Sequence, residues 1–184
     1  MEREKALKIL KENLKNENLI KHSLAVEAVM RELAKHFNED EEKWGITGLL
    51  HDIDYEKTKE NPQLHSKLGS EILKSLGFDE EICEAVLTHN EIHNIIPKTK
   101  MAKALFCTDP LTGLIVASTL VLPSKKIKDL EVKNVLNRFK EKSFAKGANR
   151  EIIKKCEEYL GLSLEEFIEI ALKGMKKISD ELGL

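Results

Sequence analysis

Apolar residues recur at i, i+3, i+4 and i+7 along nearly all of this 184-residue chain, and that period constrains its fold more than any other feature. A 3.6-residue period puts those side chains on one stripe of an α-helix, so the core must form where stripes pack together. Interruptions are few, with four prolines and nine glycines. The expected fold class is all-α. The spacing predicts helices over about 2–15 and 18–37, a third from about Asp40 to near His51-Asp52, and a loop through Tyr55 to Asn61-Pro62. A helix over about 63–76 follows, then one from Asp79 to near Asn90 and one from Thr99 that Pro110 breaks or kinks, with a further helical stretch to about Leu120. Further helices are expected over 131–142, 148–160 and 164–182, the last opened by a capping box of Ser163 and Glu166. Leu114–Leu122, which includes β-branched residues, is the one place where a strand is conceivable. The chain reads as one domain over 1–184, with a core over about 18–122 and a C-terminal helical extension from Pro123 onward.

Composition removes several function classes. A net charge of -2 gives no overall electrostatic reason to expect nucleic acid as a partner. No apolar run approaches the roughly 18 residues of a membrane span, and MEREKALKILKEN lacks the apolar block of a signal peptide. Cys83, Cys107 and Cys156 are odd in number and lack CxxC spacing, so they read as reduced, mostly buried thiols of a cytoplasmic protein. A zinc–thiolate site is not expected. Lysine far outnumbers arginine and is matched by glutamate, a weak sign of a thermophilic source. No pattern fixes an oligomeric state.

Six residues carry the chemistry: His22, the adjacent pair His51-Asp52, His65, His89 and Asp109. All stand among apolar residues. His22 shares its stripe with Leu19, Val26 and Val29, His65 with Leu68, Ile72 and Leu76, and His89 with Ile82, Ala85 and Val86, while Asp109 follows Leu105-Phe106. Buried imidazoles and carboxylates are costly unless bonded, paired or metal-bound, and six are difficult to satisfy in pairs. A divalent transition metal satisfies them together, and mixed imidazole and carboxylate donors suit Fe, Mn, Co, Ni or Zn. Six ligands exceed the needs of one catalytic ion, so one or two ions are expected, able to make hydroxide from water and to neutralise a phosphoryl oxygen. Neighbours on a helix diverge by about 100°, so His51 and Asp52 share a centre only where their helix ends and the chain bends. His36 and His93 lack apolar neighbours on both sides and read as surface residues.

The order H…HD…H…H…D, with LLHDIDYE, LHSKLGSEIL, VLTHNE and LFCTDP, resembles the HD-domain superfamily of metal-dependent phosphohydrolases over roughly residues 18–115. It looks most like the dinuclear subset, because His65 and His89 are both present. The resemblance implies an HD-type helical bundle in which His22, His51, Asp52 and Asp109 hold one ion. His65 and His89 would hold the other, with Asp52 as the bridge. The C-terminal stretch from Asn137 to Lys176 also looks like a bacterial group described only as predicted hydrolases, so no substrate carries over. HDIDYE departs from the HDIGK of many relatives, with Asp54 and Tyr55 where Gly and Lys stand, which removes a lysine contact to phosphate. It also lacks the glutamate of HDxxE nucleotidases, since Tyr55 occupies that position and Glu56 comes one later.

Residues 123–155 hold eleven Lys and Arg against four Asp and Glu, either a solvated helix face or a phosphate-binding rim. Arg138, Lys142 and Arg150 flank the loop SFAKGAN and are the substrate-binding candidates. The expected function is hydrolysis of a small phosphorylated metabolite or nucleotide, with Asp52 holding metal and Asp109 orienting or deprotonating water. His93, Tyr55 and lysines are all open as general acid. The rivals are a di-iron oxygenase, which uses the same six ligands in some relatives, and a metal-stabilised binding or regulatory module.

Overall fold

The computed structural model describes residues 2–184, and among these every regular element is helical. The all-α expectation holds. The elements are α1 (Arg3–Asn13), α2 (Glu17–Phe37), α3 (Glu41–Leu50), α4 (Tyr55–Thr58), α5 (Lys67–Ser75), α6 (Glu80–Thr88), α7 (Lys100–Leu120), α8 (Val132–Lys140), α9 (Arg150–Lys154), α10 (Cys156–Leu160), α11 (Leu164–Lys177) and α12 (Ser179–Leu182). Single 3-10 turns at Glu91–His93 and Ile127–Asp129 complete the chain.

Short polar side chains set the helix starts. Asn16, Asp40, Asp79, Thr99 and Asn149 each accept backbone N–H bonds from the first turn they precede. The Ser163–Glu166 box forms in both directions. Four expectations change. The helix expected over 63–76 begins only at Lys67, so His65 stands in the turn before it and not on its stripe. Tyr55–Thr58 is a helical turn rather than loop. α7 reaches Leu120 as expected, but Pro110 does not break it and no strand forms at 114–122. The stretches 148–160 and 164–182 are each two helices, divided at Lys155 and Ile178.

Long α2 and α7 form the spine. Their inward stripes, including Val26, Met30, Leu33, Leu105 and Leu111, are fully buried. Two glycines let helices approach closely: a Cβ on Gly48 of α3 would lie 3.0 Å from the Val26 backbone, and one on Gly174 of α11 would lie 2.6 Å from the Ala28 carbonyl. Through that second contact and the fully buried Phe167 and Ile168, the C-terminal segment packs onto the core helix that carries His22. Two buried glutamates on α2 are paired as burial demands, Glu27 with Arg3 and Arg31 and Glu32 with Lys35, Lys173 and Lys177. No helix among the described residues is long and apolar enough to cross a membrane.

Candidate metal centre

α3 ends at Leu50, and the chain tightens there, with Ile53 N–H bonded to the Leu50 carbonyl (3.2 Å) and Tyr55 N–H to Asp52 (2.9 Å). That turn is the bend the sequence requires, and it aims consecutive side chains at one centre. His51 is fully buried and Asp52 is 5% exposed. His89 occupies the matching position at the end of α6.

Carbonyls of a helix's last turn lack helical partners. His51 Nδ1 therefore donates to the Gly48 carbonyl (2.8 Å), and His89 Nδ1 donates to that of Val86 (2.6 Å). Each bond leaves Nε2 facing inward. Thr112 donates its hydroxyl proton to the Asp109 carbonyl (2.8 Å) and offers its oxygen to His22 Nδ1 at 3.4 Å. His65 Nδ1 donates to Asp54 Oδ1 (3.0 Å). All four imidazoles thus turn Nε2 toward Asp52, held from behind as ligands are.

Asp52 lies among these imidazoles with its two oxygens divided. Oδ2 faces His51 Nε2 (3.4 Å) and His22 Nε2 (3.7 Å), and Oδ1 faces His65 Nε2 (3.2 Å) and His89 Nε2 (3.3 Å). Asp109 Oδ1 completes the first side, 2.9 Å from His22 Nε2 and 3.7 Å from His51 Nε2. Donors each about 2.1 Å from a common ion stand roughly 3.0–3.4 Å apart, close to these separations. Ligand atoms of His22, His51 and Asp109 lie within 4.8 Å of one another, as do those of His51, Asp52 and His89.

The residues fit a metal by a further test. His51 Nε2 and His89 Nε2 are buried with no hydrogen-bond partner, a cost that an ion removes. Burial pushes the Asp52 carboxyl up, yet the imidazoles, His51 first, outweigh it and hold it well below the usual range. Asp109 is likewise held low by His22 and His51 against its enclosure. Burial lowers His51 and His65, but Asp52 with Asp109 raises the first to about 9, and Asp52 with Asp54 raises the second to about 10.

Two adjoining cavities of about 330 and 210 Å³ open over this centre and share Asp109, Pro110 and Gly147. The loop at 145–149 forms their far wall through Ala145, Gly147, Ala148 and Asn149. The SFAKGAN loop therefore faces the centre across these cavities, but its flanking cations Arg138, Lys142 and Arg150 do not line them. Arg150 donates to the carbonyls of Phe139, Ala145, Ala148, Arg138, Glu141 and Phe144, so its guanidinium is consumed in folding the loop and is not free for phosphate. Arg138 pairs with Glu141 (2.9 Å) and lies over the Phe144 ring, and Lys142 is exposed.

Two residues near the centre escaped the sequence reading. Asp54, which departs from HDIGK, is fully buried behind His65. His93, expected at the surface, is half-buried and its Nε2 donates to the His65 carbonyl (2.7 Å), beside Asn90 (3.2 Å). His36 is exposed as expected. Glu56 holds the backbone N–H groups of Lys15 and Asn16 (2.7 and 2.9 Å), which ties the α1–α2 joint to the HD turn.

A helical bundle that gathers four imidazoles and two carboxylates at one centre defines a class, helical proteins whose clustered His and Asp residues can hold a metal. Within that class the chain belongs to the HD-domain family, whose HD domain matches residues 19–114. That superfamily is one of metal-dependent phosphohydrolases. An uncharacterized protein of Methanocaldococcus jannaschii is 46% identical over 87 residues, 45% of this chain and 50% of that protein. Ribonuclease Y of Nitratidesulfovibrio vulgaris is 31% identical over 140 residues, 74% of this chain and 27% of that protein. Ribonuclease Y of Thermotoga petrophila is 28% identical over 139 residues, with the same coverage. The chain spans about half the length of the archaeal relative and about a quarter of the ribonucleases. No solved structure matches it.

Proposed function

We propose that this chain is a two-metal phosphohydrolase that cleaves a phosphate ester bond of a small phosphorylated metabolite or nucleotide. The division of Asp52 carries the reading: one carboxylate faces His22 and His51 with one oxygen and His65 and His89 with the other. Divalent ions bound there would supply charge neutralisation for a phosphoryl oxygen and acidify a water. His22, His51, Asp109 and Asp52 Oδ2 would hold one ion, and His65, His89 and Asp52 Oδ1 the other. Asp109 and His22 are the most exposed of the set, at 30% and 25% of their side chains, and they line the larger cavity. From that position Asp109 would orient the attacking water. The wall of Ala145, Gly147 and Ala148 restricts solvent and lets substrate approach closely. His93 has Nε2 engaged with the His65 carbonyl and is set aside as general acid. Three free, buried cysteines suit a reducing, cytoplasmic setting.

A second reading has one observation in its favour. The similarity to ribonuclease Y points to a phosphodiester, with RNA as substrate. Anaerobic purification with elemental analysis, then phosphatase, nucleotidase, phosphodiesterase and oligoribonucleotide assays with Mn, Fe, Co, Ni and Zn, tests both. Two ions per chain and hydrolysis of small esters are expected. Cleavage confined to oligoribonucleotides would favour the second reading, and a protein that takes up no metal on reconstitution would sink both.

A further inference from the structure

The two halves of the centre differ in charge. The side of His22 and His51 has the carboxylate of Asp109 as well as a share of Asp52, whereas the side of His65 and His89 has its share of Asp52 alone. Two imidazoles and half a carboxylate make a poor match for a dication in a buried place. Behind His65, however, lies Asp54, with no solvent exposure. Its Oδ1 accepts from His65 Nδ1 at 3.0 Å, and its Oδ2 accepts from the backbone N–H groups of Ser66 (2.8 Å) and Gly69 (2.9 Å). Three N–H donors face its two oxygens, so both are engaged as acceptors.

The local backbone is built around that group. Ser66 has φ 69°, a conformation that strains a non-glycine residue and needs its surroundings to enforce it. Its N–H is on Asp54, and its hydroxyl is on the Leu87 carbonyl (2.9 Å). A Cβ on Gly69 would stand 3.1 Å from Asp54 Oδ1, so glycine leaves room for the carboxylate.

We infer that Asp54 is a positioning residue for the second ion: it fixes His65 with the proton on Nδ1 and supplies the negative charge that this half of the centre lacks. The inference rests on the two-metal reading. By contrast, the imidazoles of the other half lean on a carbonyl and a threonine hydroxyl, which are neutral. Loss of Asp54 therefore weakens one ion and spares the other.

Asp54→Asn keeps the shape and removes the charge. Its amide N–H₂ would face His65 Nδ1 and favour the tautomer with Nε2 protonated, which cannot bind metal. Titration of the metal-free protein with Co²⁺, read by absorption and calorimetry, should show two ions in the wild type. In Asp54→Asn the tighter-held ion of the His22 half should persist, and the other should bind roughly 10- to 100-fold more weakly, the usual effect of losing such a support. His65→Ala should lose the same ion, and adding Asp54→Asn to it should change nothing further. Should Asp54→Asn not fold, ¹⁵N NMR of the zinc-loaded wild type keeps the question open to decision, since His65 should carry its proton on Nδ1. Two ions of unchanged affinity in Asp54→Asn, equal weakening of both, or a His65 proton on Nε2 would overturn the inference alone. Fewer than two ions in the wild type would overturn the two-metal reading and this inference with it.

Discussion

Asp52 and Asp109 are both buried carboxylates among imidazoles, yet their geometry gives them different consequences. Asp52 contributes an oxygen to each half of the centre, and Asp109 contributes to one. Asp52→Ala should abolish binding of both ions, whereas Asp109→Ala should leave one ion on His65 and His89, counted by elemental analysis. Equal ion counts in the two variants would contradict the bridging role. Although His65 stands in the turn before α5 and not on its stripe, these six ligands were legible because histidines and aspartates among apolar residues are anomalous, and six such anomalies in one order share few explanations. Asp54 was not, because its value comes from three N–H donors brought by residues 65–69. The bond of His93 to the His65 carbonyl depends on a 3-10 turn that no spacing rule shows. Arg150 was legible as a cation, but not as one whose donors face six carbonyls.

At the scale of elements, the connector between α8 and α9 is a loop roofing the centre, and one guanidinium holds it. Carbonyls of residues from Arg138 to Ala148 converge on Arg150 with no carboxylate among its partners, and burial lowers its pKa. A hydrogen bond to a charged group contributes roughly 1.5–3 kcal/mol, and several carbonyls would lose their partner together. Arg150→Ala should therefore destabilise the fold by about 2 kcal/mol in chemical denaturation and expose residues 141–149 to proteolysis, while the ion count stays unchanged. Arg150→Lys should not restore the loop, because one ammonium has three donors where the fork has five. Helix positions themselves were legible from period and caps. The divisions at Lys155 and Ile178 were not, because apolar residues continue across both and packing decides where the chain turns. Pro110 fails to break its helix for a related reason: α7 packs against several neighbours, and those contacts outweigh one missing N–H.

For the molecule as a whole, the centre couples stability to pH and to metal. Without ions, His51 and His65 titrate at about 9 and about 10, above the 6.5 of an unfolded histidine. A raised pKa contributes stability that is fully present below about 6.5 and is lost as pH rises through 9 to 10. For buried His51 this amounts to on the order of 3 kcal/mol. Asp52 and Asp109 are depressed, so their contribution is present above the 3.8 of an unfolded aspartate and fades as pH falls through their native values. The metal-free protein should therefore be most stable between about pH 4 and 6.5 and should lose Tm steadily toward pH 10. Ions and protons compete for the same Nε2 atoms, so metal uptake must release protons and its affinity must climb with pH. Loaded protein should then show the opposite alkaline trend, its Tm holding or rising where that of the metal-free form falls. Thermal melts of both forms from pH 4 to 10, with calorimetric metal titrations in buffers of different ionisation enthalpy, measure each part. Parallel pH profiles with and without metal, or uptake without proton release, would show that the imidazoles do not exchange protons for ions at this centre.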